Sequence, residues 1–145
     1  MAKASSSRPS AVRTPAIFCC FAAYRSGYRV SPPRRRSIAK SAYASSLGNL
    51  KRFEEAKRLL RRTMPVARRV LGEGHSITLK MRKIYAMALF KDYAATLDDL
   101  REAVTTVEET ARTARRVMGG AHPLARDIER TLQNAREALA ARDEA

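Results

Sequence analysis

One nine-residue stretch occurs twice in this chain and decides the fold. Residues 67–75 read ARRVLGEGH and residues 114–122 read ARRVMGGAH, so six of the nine positions are identical. The two copies are offset by 47 residues. Self-similarity at a period of about 20–50 residues is the signature of repeat architectures. The chain is therefore expected to contain two copies of one structural unit.

Each copy has the chemistry of a helix end. Two arginines precede a glycine, and cations in the last turn of a helix interact favourably with its negative end. The glycine readily adopts the left-handed conformation that ends a helix, and an apolar-periodic run resumes four or five residues later. Each copy is thus predicted to be a helix–turn–helix joint. Its structural residues are Gly72 and His75 in the first copy and Gly119, His122 and Pro123 in the second.

Apolar spacing on both sides of the joints predicts an all-α fold. The pattern indicates antiparallel helical hairpins stacked as a short array, because the connections between neighbouring helices are short. Pro65 is expected to kink its helix or weaken one turn, and Gly48-Asn49 is expected to form a turn. The predicted helices cover about residues 38–47, 53–71, 76–90, 94–118 and 123–142.

The fourth predicted helix carries an unbroken heptad seam from Leu97 to Met118. Its apolar residues recur at alternating spacings of three and four, as in helices that pack along one continuous stripe. Repeat arrays generally need about three units for stability, and this chain has two. A homo-oligomer that shares the seam Leu97–Met118 is therefore an alternative to a monomeric array, as is a repeat fragment without a groove of its own.

Positive charge is concentrated at the start of the chain. Residues 1–53 hold eleven of the 29 lysines and arginines and none of the 14 acidic residues. This predicts a basic, Ser/Arg/Pro-rich disordered tail over residues 1–37, followed by a helical repeat domain over residues 38–145. An organelle-targeting segment and acylation of Cys19 and Cys20 are alternatives for the tail. Nucleic-acid binding through the tail is a further alternative, although the second half lacks the clustered basic charge that such binding needs.

The sequence contains no catalytic, cofactor or metal-ligand constellation. Its two histidines are 47 residues apart, without Cys, Asp or Glu at ligand spacing. Residues 72–74 lack the third glycine of a dinucleotide loop. Two adjacent cysteines make no disulfide framework, which favours a reducing, cytoplasmic compartment. No apolar run reaches the roughly 20 residues of a transmembrane helix. We therefore predict a protein that is not an enzyme and uses neither cofactor nor metal.

Residues 53–89 resemble a tetratricopeptide repeat of the kinesin-light-chain type, and the resemblance extends over about residues 47–139. In that family an aromatic-x-Glu-Ala start leads through a Leu-rich helix to Leu-Gly-x-x-His-Pro, and then to Thr-Leu and an Ala-rich helix. Ser76 departs from the family's proline, Ile84 departs from its asparagine, and the second unit exceeds the standard length of about 34 residues. The period alone would also suit a HEAT- or armadillo-like pair, whereas the Gly-x-x-His joint favours the tetratricopeptide repeat. The matching residues are Phe53, Glu55, Ala56, Leu59, Leu71, Gly72, His75, Thr78, Leu79, Ala86 and Leu89, with Met118, Gly119, His122 and Pro123 in the second unit.

The resemblance implies a scaffold for protein–protein interaction, in which the first helix of each pair lines a concave peptide-binding groove. The predicted helix 76–90 is apolar over most of its circumference, as expected of a helix packed on several sides. Lys80, Lys83, Met87 and Lys91 share the remaining narrow sector, which the resemblance implies would face the peptide. Three lysines around a methionine favour an acidic segment with an apolar anchor. An ordinary solvated lysine face is the alternative.

Overall fold

The computed structural model describes residues 31–144, and within that range it contains five α-helices and no strand. Consecutive helices pack against one another, and the odd-numbered helices also form a row in which α1 contacts α3 and α3 contacts α5. The two even-numbered helices make no such mutual contact. The predicted all-α array is therefore confirmed. The helices are α1 (Pro32–Asn49), α2 (Phe53–Leu71), α3 (Ser76–Phe90), α4 (Leu97–Met118) and α5 (Pro123–Asp143).

The glycine of each repeated stretch ends a helix. Gly72 and Gly119 follow α2 and α4 with φ angles of 93° and 82°. They are the two glycines with positive φ among the described residues, and each donates its N–H to the arginine carbonyl four residues earlier. Because positive φ strains residues that carry a Cβ atom, glycine is needed at both positions.

One of the sequence differences between the two joints, glycine at position 74 and alanine at position 121, has a steric reason. A Cβ atom on Gly74 would lie 2.9 Å from a methyl group of Val117, near the end of α4. Ala121, the equivalent residue 47 positions later, is exposed. The first joint is therefore covered by the next unit of the array, whereas within the described residues the second joint has no such cover.

Helix α1 is longer than the sequence predicted. It begins at Pro32, six residues before the predicted start, and it continues through Gly48-Asn49, which were predicted to form a turn. Prolines at the first helical positions lose no hydrogen bond, so this pair starts the helix instead of interrupting it. Ser37 donates its hydroxyl to the Pro33 carbonyl at 3.1 Å, so a buried serine is satisfied inside the helix. The turn falls instead at Lys51, with φ of 58°.

The remaining helix bounds agree closely with the sequence pattern. Helices α2 and α3 have the predicted ends, and α5 is one residue longer. Helix α4 begins at Leu97, three residues after the predicted start at residue 94, because Thr96 forms a capping box with Asp99. Helix α2 continues through Pro65. Proline has no N–H to donate to the carbonyl of Arg61, four residues earlier. Because Pro65 is exposed, water can bind that carbonyl instead. The predicted disordered tail, residues 1–37, is wrong over residues 32–37, which belong to α1. The expectations for residues 1–30, including Cys19-Cys20, lie outside the described residues.

The core is built around α3, which has no exposed residue from Ser76 to Phe90. Large apolar side chains from α2 to α5 meet there, and alanines let the helix backbones approach closely. The fully buried large side chains include Leu60, Leu79, Met81, Leu89, Val107 and Ile128, and the fully buried alanines include Ala56, Ala67, Ala86, Ala103, Ala114, Ala125 and Ala135.

We predict that Gly72→Ala and Gly119→Ala each lower the free energy of unfolding by about 1–2 kcal/mol, because alanine is strained at positive φ. A Cβ atom added to either glycine would have no heavy atom of another residue within 4 Å, so crowding would not contribute. Gly48→Ala is the matched control, since its surroundings are equally open and its φ is not positive. That change should stabilise the protein by about 0.5–1 kcal/mol. Urea unfolding followed by circular dichroism measures all three, and a shared sign would contradict this account of the joints.

Candidate functional site

The four residues Lys80, Lys83, Met87 and Lys91, called the strip below, lie on the one side of α3 that other helices leave accessible. The first three are half-buried and Lys91 is exposed. Tyr85 lies on the opposite side of the helix, because two residues correspond to about 200° of rotation from Met87. The strip belongs to the row of odd-numbered helices, with α1 on one flank of α3 and α5 on the other.

Tyr85 shows which way the strip faces. Its buried hydroxyl accepts a hydrogen bond from Arg61 Nε of α2 at 3.1 Å and donates one to Glu102 of α4 at 2.7 Å. Burial and the hydrogen bond to Glu102 raise the pKa of Tyr85, so the hydroxyl keeps its proton at neutral pH. The side of α3 that carries Tyr85 is thus fixed to the even-numbered helices. The strip therefore faces away from them.

Lys83 differs from the other strip lysines because its ammonium group pairs with the carboxylate of Asp127 in α5. The Lys83 side chain is 17% exposed and that of Asp127 is 45% exposed. Asp127 lies 47 residues after Lys80, at the equivalent position of the next odd-numbered helix. The repeat offset was the available signal for this pair, which sequence reasoning missed. Lys83 therefore links α3 to α5, and its charge is partly neutralised.

A second unpredicted ion pair joins α2 to the residues that follow the end of α3. Lys57 of α2 is 9% exposed and lies 3.0 Å from the carboxylate of Asp92, next to Lys91. Burial opposes the charge on Asp92, but the adjacent ammonium group outweighs it and the pKa of Asp92 is lowered. Burial likewise opposes the charge on Lys57, but Glu54 and Asp92 outweigh it and the pKa of Lys57 is raised. Both groups are thus charged at neutral pH and hold α2 against this end of α3.

The two histidines occupy equivalent places at the starts of α3 and α5. The Nδ1 atom of His75 accepts the N–H of Ile77 at 3.2 Å, and that of His122 accepts the N–H of Leu124 at 3.1 Å. Each ring thereby satisfies one backbone donor that the first turn of a helix leaves without a partner. Burial, together with the positive charge of Arg34, lowers the pKa of His75.

Helix α4 carries two pairs of adjacent acidic residues, Asp98-Asp99 and Glu108-Glu109, and their carboxylates bind neighbouring groups. The carboxylate of Asp99 accepts the backbone N–H of Thr96 at 2.9 Å and its hydroxyl at 2.8 Å, and these bonds lower the pKa of Asp99. Glu108 pairs with Arg136 and Glu109 with Arg82. Within residues 31–144 no three His, Cys, Asp or Glu side chains are grouped so that they could hold a metal ion. In the same range no helix has the length and apolar character needed to cross a membrane.

Comparison with known families gives one match. Residues 43–77 match the family model described as tetratricopeptide repeat. The matched segment covers the end of α1, all of α2 and the joint into α3, including Gly72 and His75. Comparisons with curated proteins and with solved structures give no match. This segment is thus similar to a tetratricopeptide repeat, and repeat arrays of this kind present extended surfaces for binding other proteins.

We predict that the stability of the His75 cap depends on pH. A proton on Nδ1 would prevent this atom from accepting the Ile77 N–H. Because the pKa of His75 is lowered in the folded state, the unfolded chain binds the proton at higher pH. The contribution is therefore complete above about pH 7 and decreases as the pH falls below about 6.5.

The substitution His75→Asn separates this titration from the capping. Asparagine keeps an oxygen that can cap the helix, so the free energy of unfolding at pH 7.5 should stay within about 0.5 kcal/mol of wild type. Between pH 7 and pH 5 the wild type should lose more stability than the variant. Equal pH dependence in urea unfolding of the two proteins would show that His75 does not titrate in this way.

Proposed function

We propose that this protein is a non-catalytic protein–protein interaction module that binds an acidic segment of its partner along the strip. The observation that carries the proposal is the orientation of α3. Its Tyr85 side is bonded to α2 and α4, and we assign the opposite side, which carries three lysines and a methionine, to the partner. The tetratricopeptide match over residues 43–77 supports an interaction role in general. We further propose the kinesin-light-chain-like subtype, on the Gly-x-x-His joints, and a cytoplasmic location.

The spacing along α3 limits the shape of the bound segment. Lys80 and Lys91 are eleven residues apart, which corresponds to about 16 Å along a helix. An extended peptide covers that distance with about five residues. A segment running along α3 would therefore place one carboxylate near each of these lysines, with an apolar side chain between them over Met87. Methionine suits such a contact because it is flexible and polarizable.

The ion pair with Asp127 gives the strip an internal competitor. The carboxylate of Asp127 already occupies Lys83, so an incoming acidic group there would have to displace it. Lys80 and Lys91 have no ion pair with any of the described residues. We therefore assign the main electrostatic attraction to these two lysines and give Lys83 a positioning role between α3 and α5.

Self-association through Leu97–Met118 is the second candidate. Leu97 is 38% exposed and Val104 is half-buried, which leaves part of the seam accessible. Leu100, Val107 and Ala114 of the same seam are buried within the chain, so the array itself already uses that side. Sedimentation velocity at several protein concentrations distinguishes the two states, and a monomer at every concentration would exclude this candidate.

We predict that Lys80→Glu/Lys91→Glu weakens binding of extended peptides with two acidic residues about five positions apart by roughly tenfold or more, since like charges facing each other across an interface are costly. Asp127→Asn should strengthen the same binding, because Lys83 then becomes available. Fluorescence anisotropy of labelled peptides with the full chain measures both effects. Arg112→Glu/Arg116→Glu is the control for net charge, because it changes the charge equally on α4. Equal weakening by the two double variants would contradict the assignment to the strip.

A further inference from the structure

A second surface lies at the edge of the array, between α4 and α5. There a cleft of about 690 Å³ has four arginines around a short apolar floor. We call it the edge groove. Its lining residues are Glu108, Arg112, Arg115 and Arg116 of α4, Arg136 of α5, and the floor residues Ala111 and Leu132.

The edge groove carries excess positive charge. Arg115 pairs with Glu129 and Arg136 pairs with Glu108. Arg112 and Arg116 are exposed and form no ion pair within the described residues. The two pairs cancel, so these two arginines leave the groove with a net charge of about +2.

The array contains an equivalent cleft that a following helix already borders. A smaller cleft of about 280 Å³ lies between α2 and α3 and is bordered by α4. The two clefts are related by the repeat, because adding the offset of 47 to residues of the inner cleft gives residues of the edge groove. In this way Arg61, Met64, Pro65, Arg68 and Tyr85 correspond to Glu108, Ala111, Arg112, Arg115 and Leu132.

Helix α4 shows what kind of element fits such a groove. It packs on α3 with an apolar face that includes Leu100 and Val107. Beside this face it presents two carboxylates: Glu102 accepts the Tyr85 hydroxyl at 2.7 Å, and Glu109 pairs with Arg82 at 2.7 Å. The inner cleft is therefore bordered by an amphipathic helix with an acidic flank.

From this internal precedent we infer that the edge groove docks an acidic amphipathic helix of a partner protein, in the way that α4 docks beside the inner cleft. The chemistry of the groove specifies the partner further. At the two positions that the carboxylates of α4 contact in the inner cleft, Leu132 replaces Tyr85 and Glu129 replaces Arg82. Because Glu129 pairs with Arg115, the partner helix meets an apolar residue and no free cation at these two positions. Arg112 replaces Pro65, so the partner carries a carboxylate at that point, with a second one for Arg116.

Two other occupants fit the groove less well. The opposite edge of the array is formed by α1, which has four basic residues and no acidic one, so head-to-tail stacking of copies would bring like charges together. A nucleic acid would match the arginines, but it would leave the apolar floor and the half-buried Leu139, one heptad after Leu132, without an apolar partner.

The test uses the full chain and a synthetic helical peptide with leucines at heptad spacing on one face and glutamates beside them. One control peptide has the same composition with the leucines distributed around the helix, and a second has lysines in place of the glutamates. Binding is measured by fluorescence anisotropy. We expect only the first peptide to bind and Arg112→Glu/Arg116→Glu to weaken its binding about tenfold or more, since like charges across an interface are costly.

Arg112→Gln/Arg116→Gln should give a smaller loss in the same direction, and Lys80→Glu/Lys91→Glu should have less than about a twofold effect. Unchanged thermal unfolding confirms that each variant folds. Equal binding of the leucine-scrambled peptide would overturn the inference. So would loss of affinity in the strip variant alone, which would instead support the proposed function.

Two further outcomes would assign the groove to another occupant and equally overturn the inference. One is a dimer of the wild-type chain that Arg112→Glu/Arg116→Glu dissociates in sedimentation experiments. The other is polyuridine RNA whose binding is lost in that double variant while the amphipathic peptide does not bind.

Discussion

The packing of α3 against all four other helices is the constraint on which the described structure depends. A helix in this position has few accessible side chains, and most polar groups on its covered sides need a partner. Among the described residues the buried Thr78 hydroxyl has none. Tyr85 meets this requirement through Arg61 and Glu102, and Arg82 meets it through Glu109. These bonds fix the rotation of α3 about its own axis. They thereby decide which residues remain on the accessible side.

Residues that are 47 positions apart occupy equivalent places in the array, but their side chains differ in chemistry. Tyr85 and Leu132 are 47 residues apart and line equivalent clefts, but the first bonds to a following helix and the second has no such helix beside it within the described residues. Arg82 and Glu129 are likewise equivalent and carry opposite charges. The buried Tyr85 hydroxyl needs the partners that α2 and α4 supply, whereas the half-buried Leu132 gains stability only from apolar contacts.

The sequence predicts the helix ends at the two joints better than it predicts the start of α1. The end of α2 and the start of α3 followed from the glycine and histidine of the first joint, because the chemistry of helix ends is local. The start of α1 did not follow, since Pro32 and Pro33 suit either a loop or the first turn of a helix. Whether the serines of α1 find partners also depends on the helix that they join.

The candidate site was harder to predict for a related reason. Helical spacing groups Lys80, Lys83, Met87 and Lys91 on one side of α3, and the structure keeps them on one side. Spacing within one helix cannot show that Lys83 meets Asp127 of α5, because that contact depends on how neighbouring helices pack. The number of positive residues near a surface therefore overstates the charge that a partner meets.

The same distinction separates the two proposed surfaces from the rest of this basic chain. Lys57, Lys83, Arg82, Arg115 and Arg136 are each committed to an acidic side chain, and such pairs mainly hold helices in register. Attraction for a partner comes from cations that the fold leaves without a carboxylate, provided that apolar surface lies beside them to exclude water. Lys80 and Lys91 beside Met87 meet both conditions, as do Arg112 and Arg116 beside Leu132. Because one pair lies on α3 and the other on α4, an acidic segment bound to one surface would leave the other accessible.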